Sequence, residues 1–336
     1  MKLLAIAAWL AAGASFAQNS AATPADAVTW QLATGYRAES FHTQNVLQFS
    51  RDVEKATSGK LLIEVHPNNT LVKLNDISQA VQQGRLEAGE TIMTSMVKDI
   101  PLAGADAIPF VVSSYADAQR LWTLQRPGID KHFAERGMKL LYAVPWPPQG
   151  LHSGKPIRSV ADFKGTRMRT YNATTQRIAE LLGAQPVDVA MVDVSRALAE
   201  GRMDNMITSA LTGVENKVWG AIRYYYEINA WFPKNAVFVS TKALDSLKPD
   251  ARVRVLKAAA DAETRGWLAS QALAISATEE LRQNGIKIER IPPDLEQEIK
   301  RMGEKFSREW VRSVGNEAND IFVPYYIPLQ LTKKTP

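Results

Sequence analysis

The 336-residue chain contains no cysteine. That excludes disulfides, thiol nucleophiles, iron–sulfur clusters, cysteine-ligated zinc and a lipid-modified N-terminal cysteine. Histidine is scarce as well, with four residues: His42, His66, His132 and His152. No two stand at the i,i+3 or i,i+4 spacing of a helical metal site, so each reads as an ordinary surface or satisfied polar residue and no metal is expected. A glycine-rich dinucleotide loop, a phosphate loop and a GxSxG nucleophile elbow are all missing. Thr57-Ser58-Gly59-Lys60 lacks the glycine-rich lead of a phosphate loop and fits a helix stop. Lys and Arg total 40 against 35 Asp and Glu, a net +5, too small a surplus for an extended nucleic-acid surface. The acidic pair Glu279-Glu280 reads as solvated charge. No catalytic constellation stands out, so the chain is not expected to be an enzyme and no cofactor is expected. Catalytic groups need be neighbours only in space, however, so an exported hydrolase-like enzyme acting on a small carboxylate stands as a rival reading.

What is present is an ordinary globular composition, 46% hydrophobic and 22% charged, on a length that suits about two domains. The first residues read as an address. Lys2 gives a positive start, Leu3 to Ala12 is an apolar run, and Ser15-Phe16-Ala17 places small residues at a cleavage site. This is the pattern of a secretory signal peptide over residues 1–17, cleaved after Ala17. The run is shorter than the roughly 20 apolar residues of a membrane span. No later segment is apolar enough to insert, so the mature chain is expected in a bacterial periplasm.

Strand and helix patterns then alternate, as in an α/β sheet with crossover connections. Trp30 to Thr34 reads as a strand. Phe41 to Ala56 carries a helical face of Val46, Phe49, Val53 and Ala56, and Leu61 to His66 alternates as a strand. Asn75 is placed as the cap of a helix over Ile77 to Gln83, stopped by Gly84. A second cycle runs through strands at Lys139 to Val144 and Thr166 to Arg169, a helix from Thr174 to Leu182 ending at Gly183, and a helix from Ser195 to Glu200 stopped by Gly201. Ala80-Val81-Gln82-Gln83-Gly84-Arg85-Leu86-Glu87 parallels Ala197-Leu198-Ala199-Glu200-Gly201-Arg202-Met203-Asp204. Each is a helix end, a Gly-Arg turn, an apolar residue and an acid. The match predicts two lobes of similar construction, 28–145 and 146–240, with C-terminal elements returning to the first. The cleft between such lobes is the default ligand site.

From Pro249 to Gly285, start and stop signals enclose a helical pattern of about 34 residues, about 50 Å long. A helix of that length is expected to run along both lobes within a C-terminal region, 241–330. Gly266 is placed as a bend, and two helices broken there is the competing reading.

The stretch from Pro156 to Tyr171 bears most directly on ligand binding. A Lys164-Gly165 turn leads into a short strand that delivers Arg169 near its C-terminal end, where the crevice of an open α/β sheet lies. A guanidinium there can grip a carboxylate with two parallel hydrogen bonds. The alternative is that Arg167 and Arg169 are merely two solvated charges on one strand face.

This stretch, with its Lys-Pro-Ile segment, Asp162-Phe163-Lys164-Gly165 turn and arginine-ended strand, resembles the signature of the DctP family of TRAP-transporter solute-binding proteins. The similarity takes in the Phe41 helix, Ser58-Gly59-Lys60, the Gly84 cap, Ile108-Pro109-Phe110, Ala197 to Asp204 and the long helix after Pro249. It implies a periplasmic binding protein of two α/β lobes, with a ligand cleft between them and a long helix spanning both. It also implies an organic-acid ligand and a membrane TRAP permease as partner. A sensory binding protein on the same fold is a further alternative. The family's ligand-pairing arginine falls on Arg169. Two positions depart from the family pattern. Gln149 stands where some members carry a second arginine, and Thr208 stands where an asparagine is usual. Both losses disfavour a second carboxylate or a polyhydroxylated acid in a closed site. Trp146, Tyr171, Tyr36 and Phe41 lie in or beside the matching segments and suit a flat or apolar ligand body, although core packing is an equal reading for each. The ligand expected is therefore a monocarboxylate, aromatic ones included. Tyr224-Tyr225-Tyr226 and Trp231-Phe232 read as core or inter-lobe packing.

Overall fold

The computed structural model describes residues 27–332. The expected signal peptide, residues 1–17, lies outside the described residues. The chain opens with β1 (Val28–Thr34), α1 (Phe41–Ala56), β2 (Leu61–His66), α2 (Ile77–Gln82) and β3 (Ala88–Ile92). β1 pairs in parallel with both β2 and β3. α1 buries Val46, Phe49 and Val53, the apolar residues at helical spacing, against the sheet. It stops where the Thr57 hydroxyl turns back to Val53 O at 2.9 Å and Ser58 and Gly59 take φ of 54° and 76°. Asn75 is not the cap of α2. It lies within a 3₁₀ turn, Leu74–Asp76, that runs straight into the helix, and no side chain caps the start.

α3 (Tyr115–Glu135) is capped by Ser114 Oγ on Asp117 N and leads to β4 (Met138–Pro145) at one sheet edge. The backbone then crosses to a second sheet. β5 (Gln149–Ser153), β6 (Arg167–Thr170), α4 (Ala173–Leu182), β7 (Gln185–Asp188), α5 (Val194–Ala199), β8 (Asn205–Ser209), α6 (Ala210–Glu215) and β9 (Tyr224–Tyr226) follow in order. Spatially, β7-β6-β8 repeats β2-β1-β3. The twin sequence stretches are structural twins too. Gly84 (φ 70°) and Gly201 (φ 63°) take the same left-handed turn, and Arg85 N and Arg202 N reach back to Ala80 O and Ala197 O at 2.9 and 2.8 Å.

β10 (Lys234–Ser240) corrects the expected boundary. Sequence places it in the second lobe, but it lies between β3 and β4, antiparallel to both. Each sheet thus takes one antiparallel strand from beyond a crossing: β10 beside β3, and β5 beside β8. The two crossings, Trp146–Pro148 and 227–233, are the links between lobes. Lys234, fully buried, is held at the second crossing by Asp106. Its ammonium is 3.1 Å and its backbone N 2.8 Å from Asp106 Oδ2. A buried charge of this kind is tolerated only because it is paired.

α7 (Thr241–Asp245) precedes α8 (Pro249–Gln283), one helix of 35 residues and about 52 Å. Its first half, Val255 to Ala262, packs with α1 and β4, and Ala277 and Leu281 join the core of the second lobe. It therefore spans both lobes without a break. Gly266 is a packing residue rather than a bend. A Cβ there would sit 2.3 and 2.8 Å from the two methyls of Val144 and 2.9 Å from Asn45 Nδ2. β11 (Lys287–Glu289) extends the second sheet beside β9. α9 (Pro293–Val314) packs on both lobes, with Ile299, Met302 and Phe306 beside Phe163, Ile178 and Leu182 of the second and Pro109 and Phe110 of the first. α10 (Asn316–Thr332) returns to the first lobe, where Trp310, Ile321 and Tyr325 close its core around α3. Among the described residues no helix is long and apolar enough to cross a membrane.

Candidate functional site

A cavity of about 490 Å³ lies between the lobes. The first lobe contributes Tyr36, from the loop after β1, and the Lys73-Leu74-Asn75 segment. The first crossing contributes Trp146, the start of β5 contributes Gln149, and the second crossing contributes Pro233. The second lobe contributes Arg169 and Tyr171 at the end of β6, the Asp188 to Asp193 loop after β7, and Thr208 on β8. Six of the seven residues singled out from sequence line the cavity: Arg169, Gln149, Trp146, Thr208, Tyr171 and Tyr36. Phe41 does not. It stands behind Trp146, ring centroids 5.4 Å apart at 87°, and packs on His42 with the rings tilted by 42°, so it braces the wall instead of forming it.

Arg169 is not a solvated charge. It is 4% exposed, whereas Arg167 points to the surface and pairs with Asp204 at 2.8 Å. The two share one strand face, and their place along β6 separates them: Arg167 opens the strand beside Asp204, whereas Arg169 lies near its C-terminal end at the cavity. Nε of Arg169 donates to Val189 O at 3.0 Å, and the guanidinium lies 4.7 Å from the Tyr171 ring centroid. Among the described residues no carboxylate pairs with it, and neither terminal nitrogen has a hydrogen-bond acceptor. Burial pulls its pKa below the ordinary value, an effect opposed by Tyr171, Tyr36 and Asp188. The site therefore holds a desolvated cation with an open fork, and an anion seated there would relieve the strain of burial. Burial also raises Tyr171 to about 12, with the guanidinium opposing.

Behind the opposite wall runs a polar network that sequence did not reveal. Trp146 Nε1 donates to Asn235 Oδ1 at 2.8 Å, and Tyr36 Oη lies 3.2 Å from the same oxygen. Asn235 Nδ2 donates to Glu90 Oε1 at 3.1 Å, and Thr34 Oγ1 donates to Glu90 Oε2 at 2.6 Å. Burial raises Glu90 to about 7, and these two hydrogen bonds oppose the rise. His42 Nδ1 is 3.6 Å from Glu90, and burial holds the ring well below its usual pKa, hence neutral. His42 and His152 are core residues rather than surface ones; His152 drops to about 4 for the same reason.

Two bridges cross the cleft. Arg37 Nη2 donates to Val192 O at 2.7 Å and to Asn216 Oδ1 at 3.2 Å, and Nη1 donates to Glu215 O at 3.2 Å. Elsewhere on the rim, Asn172 Nδ2 donates to Thr94 Oγ1 at 2.5 Å. The residues that sequence reasoning missed are these bridges, the Asp188 to Asp193 loop, and Lys73, Arg196 and Arg202 in the cavity wall. The Gly201-Arg202 half of the internal repeat was the one available signal.

The family model for DctP, bacterial extracellular solute-binding protein family 7, matches residues 32–313. The chain belongs to the DctP family. Among solved structures it is similar to DctP7 of Bordetella pertussis, an extracytoplasmic solute receptor binding pyroglutamic acid. That match has a TM-score of 0.87 at 35% identity and covers 89% of this chain and 99% of that one. A marine metagenome TRAP solute-binding protein specific for pyroglutamate matches with the same TM-score, 0.87, at 35% identity and the same coverage, 89% and 99%. Among curated relatives, a solute-binding protein of Albidiferax ferrireducens is 25% identical over 256 residues, 74% of each chain. The DctP family and these neighbours are solute receptors rather than enzymes. Among the described residues no group of three or more His, Asp or Glu is placed to hold a metal ion.

Proposed function

We propose that this DctP-family protein is the periplasmic receptor of a TRAP-type transporter, capturing a monocarboxylate through Arg169 and delivering it unchanged to a membrane permease. The observation that carries this reading is the buried guanidinium of Arg169, held by Val189 O at Nε and, among the described residues, without an acceptor on its outer nitrogens. A ligand carboxylate completes that fork. Gln149 and Thr208 bring no second positive charge to the buried floor, and Arg196 and Arg202 in the wall are exposed and already paired with Asp193 and Glu200, which favours one carboxylate over two. The receptors at 35% identity that bind pyroglutamate support a compact acid as the first ligand to try. Tyr36, Trp146 and Tyr171 supply flat walls for its ring. Export by the 1–17 segment and cleavage after Ala17 belong to the same reading.

The test is a thermal-shift screen of carboxylic acids, L-pyroglutamate included, followed by calorimetry. A ligand at 100 times its Kd raises stability by about 2.7 kcal/mol. Arg169→Ala is expected to abolish tight binding, and Arg169→Lys to lose most of it, because an ammonium cannot reproduce the fork. The bound acid should be recovered chemically unchanged. Unaltered affinity in both variants, or a list of hits without an acid, would remove Arg169 from the site.

A further inference from the structure

The walls of the cavity differ in hydrogen-bond polarity, and the difference follows from one asparagine. An indole N–H can only donate. The Asn235 atom 2.8 Å from Trp146 Nε1 is therefore its carbonyl oxygen, which turns Nδ2 toward Glu90 Oε1, 3.1 Å away. The carboxylate of Glu90 locks that orientation from behind, and is itself fixed by Thr34. Tyr36 Oη then faces an oxygen that can only accept, at 3.2 Å. Its hydroxyl hydrogen is committed to Asn235, so the phenol oxygen of this cavity-lining residue can meet a further partner only as an acceptor. On the floor, Gln149 Nε2 donates to Pro147 O at 2.8 Å, which leaves Oε1 without a protein partner among the described residues. The Asp188 carboxylate, also in the wall, is another acceptor. Thr208 can serve either way. Arg169 is thus the buried cationic donor of the cavity, Arg196 and Arg202 being exposed in its wall and paired with Asp193 and Glu200, and Tyr36, within Coulombic reach of the Arg169 guanidinium, is an acceptor facing it.

We infer that the site reads two features of its ligand: the carboxylate, and an N–H or O–H donor directed to Tyr36 Oη. This rests on the monocarboxylate reading above and narrows it. The substrate class is carboxylates bearing a lactam N–H or a hydroxyl. Oxo acids and lactones of the same shape are rejected, because they set a lone pair against a lone pair. Tyr36 and Asn235 divide the work. Tyr36 touches the ligand, and Asn235, held by Glu90, is a positioning residue that sets which way the phenol points.

The experiment is calorimetry on the mature chain with matched ligand pairs that differ only in this group. One pair is L-pyroglutamate and its lactone isostere, in which ring oxygen replaces N–H. Another is an α-hydroxy acid and the α-oxo acid of the same skeleton, mandelate against phenylglyoxylate. In pairs that bind, the donor-bearing member should bind roughly 10- to 100-fold more tightly, the range set by a buried unsatisfied polar contact. In Tyr36→Phe, with thermal unfolding checked to show an intact fold, that gap should shrink to about 3-fold or less, because the acceptor is gone. Equal binding of both members, with both lost in Arg169→Ala, would overturn this inference while leaving the carboxylate reading in place. A full gap persisting in Tyr36→Phe would overturn it as well. Binding of no acid in either pair, with no acid among the thermal-shift hits, would sink the carboxylate reading and this inference together.

Discussion

Arg37 offers a test of how the two lobes hold a ligand. Its half-buried guanidinium leaves the first lobe and donates to Val192 O, Asn216 Oδ1 and Glu215 O, at 2.7, 3.2 and 3.2 Å. The acceptors are themselves fixed: Asn216 Nδ2 donates to Thr212 O, and Ser195 Oγ donates to Asn216 O. Hydrogen bonds from a charged donor contribute about 1.5–3 kcal/mol each when buried. Solvent screens this side chain in part, so the three together are set at about 2–3 kcal/mol. If the bridged arrangement is the ligand-bound one, Arg37→Ala lowers its population relative to an open form by on the order of 30- to 100-fold, and the apparent Kd rises by up to that factor. The loss should appear in koff, because a bridge across the cleft forms after the ligand has entered. Arg37→Lys should fall between the two, since one ammonium cannot reach three divergent oxygens. Stopped-flow measurement with the acid giving the largest thermal shift, beside small-angle scattering of the ligand-free form, reads both effects. An unchanged koff in a folded Arg37→Ala variant would show that the bridge is no part of the bound state.

Two further outcomes follow from the interior. Glu90, raised by burial from 4.5 to about 7, binds a proton more readily folded than unfolded, so the stability it contributes is full below pH 4.5 and is lost as pH rises through about 7. Over that window the loss is about 3 kcal/mol. Glu90→Gln should therefore be more stable than wild type at pH 8, with a flatter stability curve between pH 5 and pH 8 in denaturant titrations. Glu215, which burial also raises to about 7, remains in both proteins, so the difference isolates Glu90. Parallel curves for the two proteins would refute this assignment. Gly266→Ala gains about 1 kcal/mol of helix propensity but forces a methyl against both Val144 methyls and Asn45, an overpacking cost of typically 1–3 kcal/mol. A net loss of about 1 kcal/mol in chemical unfolding is expected, and a more stable variant would mean that β4 yields to α8.

The parts of this fold that were legible in sequence are those written in local chemistry. α1 follows from its apolar spacing and the Ser58-Gly59 stop. α8 follows from Pro249 at its start and Gly285 (φ 83°) beyond its end. The twin Gly-Arg turns announced the repeated β7-β6-β8 and β2-β1-β3 units. What failed was what depends on a partner far along the chain. Gly266 looks like a weak point until Val144, 122 residues earlier, is seen to need the space. β10 is an ordinary apolar strand, and nothing within it says that it inserts between β3 and β4. Asn75 is a good capping residue left idle because the chain prefers a 3₁₀ turn there. In the cavity, Arg169 was readable because a strand end after a Lys-Gly turn is a local feature. The Glu90–Asn235 network was not, because its members lie 145 positions apart and look like ordinary strand residues.

The chemistry of the cleft is divided between the lobes, and that division gives binding its dependence on both. The second lobe brings the charge: Arg169, desolvated on β6 and steadied by Val189 and Tyr171. The first lobe brings the polarity, through a phenol whose hydrogen is committed to Asn235. The Asn235 side chain rides on β10, which enters the first sheet from the second crossing, and Trp146 sits in the first crossing. The two groups that share the Asn235 oxygen thus belong to the first-lobe wall and to the links between lobes. A change in the angle between lobes would move Trp146 and Asn235 together with the backbone that carries them. An acid gripped by Arg169 alone satisfies one lobe. Only a ligand that also offers a proton to Tyr36 engages the other and gains from Arg37 and Asn172 bridging the rim.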